Sequence, residues 1–315
     1  MTETQPTIPD DAAGRATAPV PGQAIAAEPV PAGASLSRRA LTVRRLRRSP
    51  LGLASFVVLA VAILAAVLAP WLAPYAPNQT DFGAALAQPG SPAHVLGSDE
   101  LGRDVLSRIL FGMRASLLVG LLAVGTALLV GIPLGLVAGY YRWTDTIVSR
   151  LTDLLLAFPF LIIAVGLAAI RGGSLGNAAL ALGIAQIPAV IRVVRSETLR
   201  LKHLDYVAAA VVDGAGDGWV LFRHVLPNAV SAILVQATVA FPVAILGEAV
   251  LSFLGLGIQP PDASLGTMLS AAQQYAMRAP WLAIIPGVAI MLLALAFNMF
   301  GDALRDALDP KGARR

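Results

Sequence analysis

The sequence predicts an all-α membrane protein with six transmembrane helices. Hydrophobic residues make up 57% of the 315 and charged residues only 13%, whereas a soluble domain usually carries about 25% charge. The mean hydropathy is +0.73. The apolar residues are gathered into six uncharged runs, each close to the roughly 20 residues a helix needs to cross the hydrocarbon. The chain has no cysteine, which excludes disulfides, thiol nucleophiles and Cys-ligated metals.

Residues 1–36 are rich in Pro, Ala, Gly and Thr and read as a disordered tail. No apolar segment follows Met1, so no cleaved signal peptide is expected. The stretch "SRRALTVRRLRRSP" then places Arg38, Arg39, Arg44, Arg45, Arg47 and Arg48 directly before the first apolar run. Beside a span, such a cluster fixes orientation and touches anionic lipid. The net charge of +4 does not point to nucleic acid, because no soluble domain is present to carry a basic face.

The runs cover Leu53–Ala73, Ala115–Tyr140, Leu154–Ile170, Gly172–Ile191, Ala229–Gly247 (continuing past Glu248 to about Ile258) and Ala279–Gly301. Pro133, Pro159, Pro188, Pro242 and Pro286 fall inside them and are expected to kink rather than break the helices, since neighbours can satisfy the freed carbonyls. With the amino terminus inside, all but five of the 23 Lys and Arg residues face the cytoplasm; Arg103, Arg108, Arg114, Arg171 and Arg278 are the exceptions. Both termini are therefore expected in the cytoplasm.

Between the fourth and fifth runs lies "DYVAAAVVDGAGDGWVLFRHVLPNAV", Asp205 to Val230, on the same side as the termini. Its first part has the composition of a short helix ending at Gly214 and Gly216, which tolerate the positive φ of a sharp turn. "GWVLFRHVLP" restarts as an amphipathic piece, and Pro227 opens the fifth run. Two readings stand: a docking device whose apolar side, with Trp219, Leu221 and Phe222, packs on the spans or fills a partner's groove, or an ordinary loop resting on lipid headgroups.

Glu248 is the acid set well inside a hydrophobic run. A charge at the bilayer centre costs about 2.5–3.5 kcal/mol on insertion scales, so such residues usually face a cavity or a partner. Contact with a substrate, proton coupling, and a hydrogen-bonded carboxyl bracing the fifth span all fit. Gly131, Gly135 and Gly139 lie four apart on one face of the second span, a spacing that lets backbones approach closely. The expected neighbour is span five or a second membrane subunit, with chance glycine content as the alternative. "SDELGRDVLSR" sets Asp99, Glu100, Arg103 and Asp104 at near-helical spacing, which predicts a short interfacial helix with internal ion pairs; it either helps to dock an external partner or only orients span two. His94, His203 and His224 show no metal-ligand spacing, and no metal site is expected.

The spacing Ala209-Ala210-x3-Gly214-x11-Leu226-Pro227 resembles the cytoplasmic "EAA" signature of binding-protein-dependent ABC importer permeases. "HVLGSDELGRDVLSRILFGMRASLLVGL", "RLTDLLLAFPFLI", "EAVLSFLGLGIQPP" and "FNMFGDALRDALDPK" are similar to the dipeptide/oligopeptide/nickel subfamily, and to its second, C-type subunit. The resemblance runs from about residue 40 to the end. Three residues depart from the signature: Ala208 replaces its glutamate, His224 an isoleucine, and Asp213 the apolar residue before the glycine.

The resemblance implies a type I ABC-importer permease fold, in which residues 37–112 carry the first span and an external loop and 113–302 form a five-helix core. A cytoplasmic tail would cover 303–315. The segment at about 205–227 would be the coupling helix, with Ala209, Ala210, Gly214, Leu226 and Pro227 meeting a cytoplasmic ATPase. A homologous second permease, two ATPase subunits and an extracytoplasmic binding protein would complete an importer for di- or oligopeptides, nickel chelates or a related solute. The chain itself has no GxxxxGK[ST] loop, since Lys202 and Lys311 follow no glycine-rich stretch. No cofactor, metal or catalytic motif appears in the runs, so an enzyme is not expected. The rival is an ion-coupled secondary carrier using Glu248, although such carriers tend to show paired, interrupted repeats.

Overall fold

Runs of this hydropathy cannot leave backbone groups unpaired in lipid, so helix is the expected answer. A computed structural model describes residues 49–308; the expected tail at 1–36, the arginine cluster through Arg48 and the residues after Leu308 lie outside the described part. The helices are α1 (Pro50–Val67), α2 (Ala69–Leu72), α3 (Val105–Tyr140), α4 (Arg142–Ala157), α5 (Phe160–Arg171), α6 (Leu175–Leu201), α7 (Asp205–Val212), α8 (Asp217–Phe253), α9 (Leu265–Ala272) and α10 (Trp281–Leu308). Within α8, Val220–Val225 is π-helical. Among the described residues the β structure is one isolated bridge, Ser98 to Asp104.

Helices α1, α3, α6, α8 and α10 are each long and apolar enough to cross a membrane, and α4 with α5, bent by 79° at their junction, makes a sixth when the pair is counted as one span. This bend corrects the expectation of one kinked helix over Leu154–Ile170. Pro159 disfavours helical geometry in the residue before it and lacks an N–H to donate. Phe158 is accordingly extended, at φ −93° and ψ 123°, and the chain turns there. Pro133, Pro188, Pro242 and Pro286 do lie inside continuous helices.

The helices also outrun the apolar stretches that betrayed them. Helix α3 begins at Val105, before Arg108 and Arg114, and α6 continues through Arg192, Arg195 and Arg200. A hydropathy run marks contact with hydrocarbon; the helix persists beyond it as long as its hydrogen bonds do. At 36 residues α3 is about 54 Å long, well beyond the ~30 Å of a bilayer core. The border expected at residue 112 therefore falls within one unbroken helix.

Local signals set the ends. Ser49 caps α1 by accepting from the Gly52 N–H at 3.1 Å, with Pro50 at the first position. Asp104 caps α3 through Oδ2, which accepts from the Ser107 N–H at 2.7 Å. Ser264 and Thr267 form a reciprocal capping box on α9.

Helix α6 is the interior element. Of its most apolar 18-residue window 61% is buried within the chain, against 22–39% for the other spans. One core cluster joins α3, α6, α7 and the start of α8 through Leu136, Val190, Val194, Val207, Val220 and Val225. A second joins α1, α3, α8, α9 and α10 at the other end of the bundle, around Val105, Ile245, Leu265 and Phe297.

Candidate functional site

Small residues bring α3 and α6 together. A Cβ placed on Gly131 would stand 2.6 Å from Val190 Cγ1, one on Gly135 2.6 Å from Val194 Cβ, and one on Gly139 2.5 Å from Thr198 Cβ. Each step of four on α3 thus meets a step of four on α6. Gly183 of α6 reciprocates against Thr126 and the Ala123 carbonyl of α3. The neighbour is span four, where span five or a second permease was expected: sequence spacing identifies a face and says nothing of what covers it.

This pair ends at the α7–α8 turn. The Lys202 ammonium donates to the Gly139 carbonyl at 2.7 Å, and the Arg195 guanidinium grips Asp145 of α4 at 2.5 and 2.7 Å. Asp217, the first residue of α8, accepts from Tyr140 Oη at 3.0 Å and from Tyr141 Oη at 2.8 Å. The hydrogen bond to Asp217 raises the Tyr141 phenol above its ordinary pKa.

The turn itself is a glycine C-cap. Gly214 has φ +85°, its N–H donates to the Val211 carbonyl at 3.0 Å, and the Ala215 N–H donates to Ala210 at 3.0 Å. Those two bonds form a Schellman motif, which needs a residue free to adopt positive φ. Asp213 occupies the C-cap position, exposed, and the turn closes without help from its side chain. On the inner side Val207, Val220, Leu221 and Val225 are buried, and Ala215 and Leu226 pack against them. The outer side carries Val211, Val212 (86% exposed), Trp219 and Phe222, with the Arg223 guanidinium 5.9 Å from the Trp219 ring. Ala209, Gly214 and Pro227 are exposed, and Ala210 and Leu226 half-buried. Of the three apolar residues expected on one side, Leu221 turns inward and Trp219 and Phe222 turn outward.

The π-helical stretch explains how α8 passes Pro227. A proline within an α-helix clashes with the carbonyl four residues back. Here the Leu226 N–H reaches the Leu221 carbonyl in an i→i−5 bond, and Asn228 Nδ2 donates to the His224 carbonyl at 2.7 Å.

Glu248 lies far along α8 from this turn and is 0% exposed. Its Oε2 accepts from Ser116 Oγ of α3 at 2.5 Å and its Oε1 from Ser252 Oγ at 2.8 Å. Ser252 Oγ in turn accepts from the Ile258 N–H at 3.0 Å in the loop after α8. Gly266 of α9 meets the Ala249 backbone so closely that a Cβ would overlap its carbonyl. Glu248 lines neither of the two large cavities.

The segment Ser98–Asp104 is a bridged turn and not the expected short helix. Gly102 is at φ +73°, and Asp99 Oδ1 accepts from the Leu101 and Arg103 N–H groups at 2.9 Å, a local pairing that competes with helix. The expected ion pairs are present: Arg103 Nε to Asp99 at 2.6 Å and Arg103 Nη2 to Glu100 at 3.0 Å. His94 Nδ1 lies 3.0 Å from Asp104 Oδ1, in an ion pair if the ring is protonated. Arg108 donates to the Pro77 carbonyl at 3.0 Å. Among the described residues no three His, Asp or Glu side chains converge on a metal-sized site.

Two cavities open at this end. One, of about 460 Å³, lies between the start of α3, the start of α6 and residues 258–263. The other, of about 380 Å³, is apolar and bounded by α1, α3, α8 and α10 through Ile63, Leu117, Phe241 and Phe297. Arg114 borders both.

Comparison with known proteins decides the family. Residues 131–314 match the model of the binding-protein-dependent transport system inner membrane component, and residues 37–89 match the N-terminal TM domain of oligopeptide transport permease C. The chain belongs to the binding-protein-dependent inner membrane components. It is 44% identical over 269 residues to the dipeptide transport system permease protein DppC of Alkalihalophilus pseudofirmus, covering 85% of this chain and 88% of that protein. It is 46% identical over 272 residues to the glutathione transport system permease protein GsiD of Pectobacterium atrosepticum (85% and 89%), and 46% identical over 271 residues to DppC of Escherichia coli (84% and 90%). Among solved structures, the inward-facing MetNI methionine ABC transporter shares the fold at TM-score 0.52 and 18% identity, over 64% of this chain and 96% of that one.

This permease is thus a multi-pass inner-membrane transport component and not an enzyme, and its family works with ATPase and substrate-binding partners. Sequence reasoning missed the partners of its key residues. Ser252 stands four positions from Glu248 and was legible as a same-face neighbour. Ser116, Asp217 with its two tyrosines, and the pairing of Asp145 with Arg195 span 50 residues or more, and no local signal announces them.

Proposed function

We propose that this chain is one of two homologous permease subunits forming the pathway of an ATP-driven importer of di- or oligopeptides. The observation that carries the reading is the α7–α8 turn. Its inner valines are locked into the bundle, while Val211, Val212, Trp219 and Phe222 stand outward, an apolar surface suited to a cleft on an ATPase subunit. The names of the relatives, dipeptide and glutathione permeases, support short peptides as cargo. Both termini and the α7–α8 turn lie in the cytoplasm on this reading, supported by the distribution of Lys and Arg. Residues 37–112 supply the first span and external loop, 113–302 the transport core, and the two flanking segments cytoplasmic tails.

In this scheme nucleotide-driven closure of the ATPases displaces the turn. Asp217 passes the motion to α3 through Tyr140 and Tyr141, and α8 passes it along its own axis. The far end of α8 is tied by Glu248 and Ser252 to α3 and to the loop lining the 460 Å³ cavity. Glu248 acts there as a brace. As a proton carrier it would need access to a water-filled path, and its carboxylate is enclosed by serines.

The natural absence of cysteine allows a direct test. V212C labelled with benzophenone maleimide and irradiated in membranes containing the whole importer should cross-link to the ATPase subunit. Cross-linking to lipid alone would return the segment to an ordinary interfacial loop.

A further inference from the structure

We propose that the 460 Å³ cavity is a substrate site for a zwitterionic short peptide, with Arg114 taking the carboxylate and Asp262 the ammonium group; this rests on the peptide-importer reading above. Arg114 stands on α3 about 15 Å along the helix from its Asp104 cap. It stands at the border of the second apolar run, which begins at Ala115, and its exposed guanidinium lines this cavity. Asp262 lies in the wall formed by the loop after α8.

The neighbouring charges are already engaged. Arg108 is held by the Pro77 and Pro261 carbonyls at 3.0 and 3.5 Å and lies 3.6 Å from Asp99. Arg103 is consumed by Asp99 and Glu100. Arg114 and Asp262 form no ion pair, with each other or with any charged side chain, among the described residues. One cavity therefore presents a guanidinium and a carboxylate that are not paired with each other. The ligand that satisfies both carries one charge of each sign, as a dipeptide does at its two ends. Asn78, Ser174 and Gln259 in the same wall can bond the peptide amide.

The loop that bears Asp262 begins at the Ile258 N–H held by Ser252 and hence by Glu248. The Asp262 wall is thereby fixed to α8, so a movement of α8 would widen or narrow the gap between the two charges.

The test uses native membranes with the complete importer and a tritiated alanyl–photoleucine dipeptide, irradiated during uptake, with labelled segments of this chain mapped by mass spectrometry. Label should fall on residues 111–118 and 258–263. R114A and D262N should each lower it about tenfold, the loss of one charge-assisted contact, and R114K should restore much of it at equal chain abundance. Label confined to other segments, or unchanged in both variants, overturns the site while wild-type uptake in the same cells upholds the peptide-importer reading. Unchanged label with weakened docking of the binding protein assigns the cavity to that partner and also overturns the proposal. A wild type that carries no dipeptide above a strain lacking the chain overturns both.

Discussion

Ser116 of α3 donates its hydroxyl to Oε2 of Glu248 on α8 at 2.5 Å, across 132 positions of sequence. The carboxylate is fully buried, and Ser252 supplies its second donor. Ser116→Ala removes the donor that reaches Oε2 from α3, which should cost about 1–3 kcal/mol. Glu248→Gln should cost less than Glu248→Ala, since the amide fills the space and retains an acceptor. Thermal unfolding in detergent ranks the three; equal midpoints for all would remove Glu248 from the brace.

Gly135 is the middle one of the three glycines that bring α3 against α6, and its added Cβ would overlap Val194. Gly135→Leu should lower stability by at least the about 1–3 kcal/mol typical of overpacking. Val194→Gly in the same chain should recover part of that loss. Additive losses in the double variant would mean that the two residues do not touch.

Gly214 has open space around its Cα, so its role is conformational and not steric. At φ +85° a β-branched residue is strained by roughly 1–2 kcal/mol or more. Gly214→Val should leave insertion intact and reduce ATP-driven uptake severalfold, with Gly214→Asn milder because Asn enters the left-handed region more readily. Full uptake by the valine variant would dissociate the turn from coupling.

Asp217→Asn keeps the shape of the clasp and removes the charge that Tyr140 and Tyr141 share. Transport should fall while ATP hydrolysis by the assembled importer persists, and Tyr140→Phe with Tyr141→Phe should reproduce the effect. Unaltered coupling ratios in both variants would assign α8 motion to another contact.

How far the sequence discloses this arrangement depends on the range of each interaction. Spans were legible because a bilayer demands about 20 apolar residues in succession, and the turn at Gly214 because positive φ selects glycine. The break at Pro159 was open to either outcome: the same residue type lies inside α3, α6, α8 and α10 without breaking them. The glycine face of α3 could be read from its period of four, yet its partner α6 could not. Arg114 looked like a flank of the second run because hydropathy ends there, and only the extent of α3 places it inside a helix beside a cavity. Side chains of the Ser98–Asp104 turn, spaced for a helix, chose local bonds to Asp99 instead.

The central claim is that this permease moves solute only when driven from its α7–α8 turn by a nucleotide-hydrolysing subunit. The most direct measurement is concentrative uptake of a labelled dipeptide into lipid vesicles, with and without the ATPase subunits, the second permease and the binding protein. The complete set with ATP should accumulate peptide, and the chain alone should accumulate none under any imposed ion gradient. Uphill uptake by the isolated chain, driven by a proton gradient and abolished in Glu248→Gln, would contradict the account.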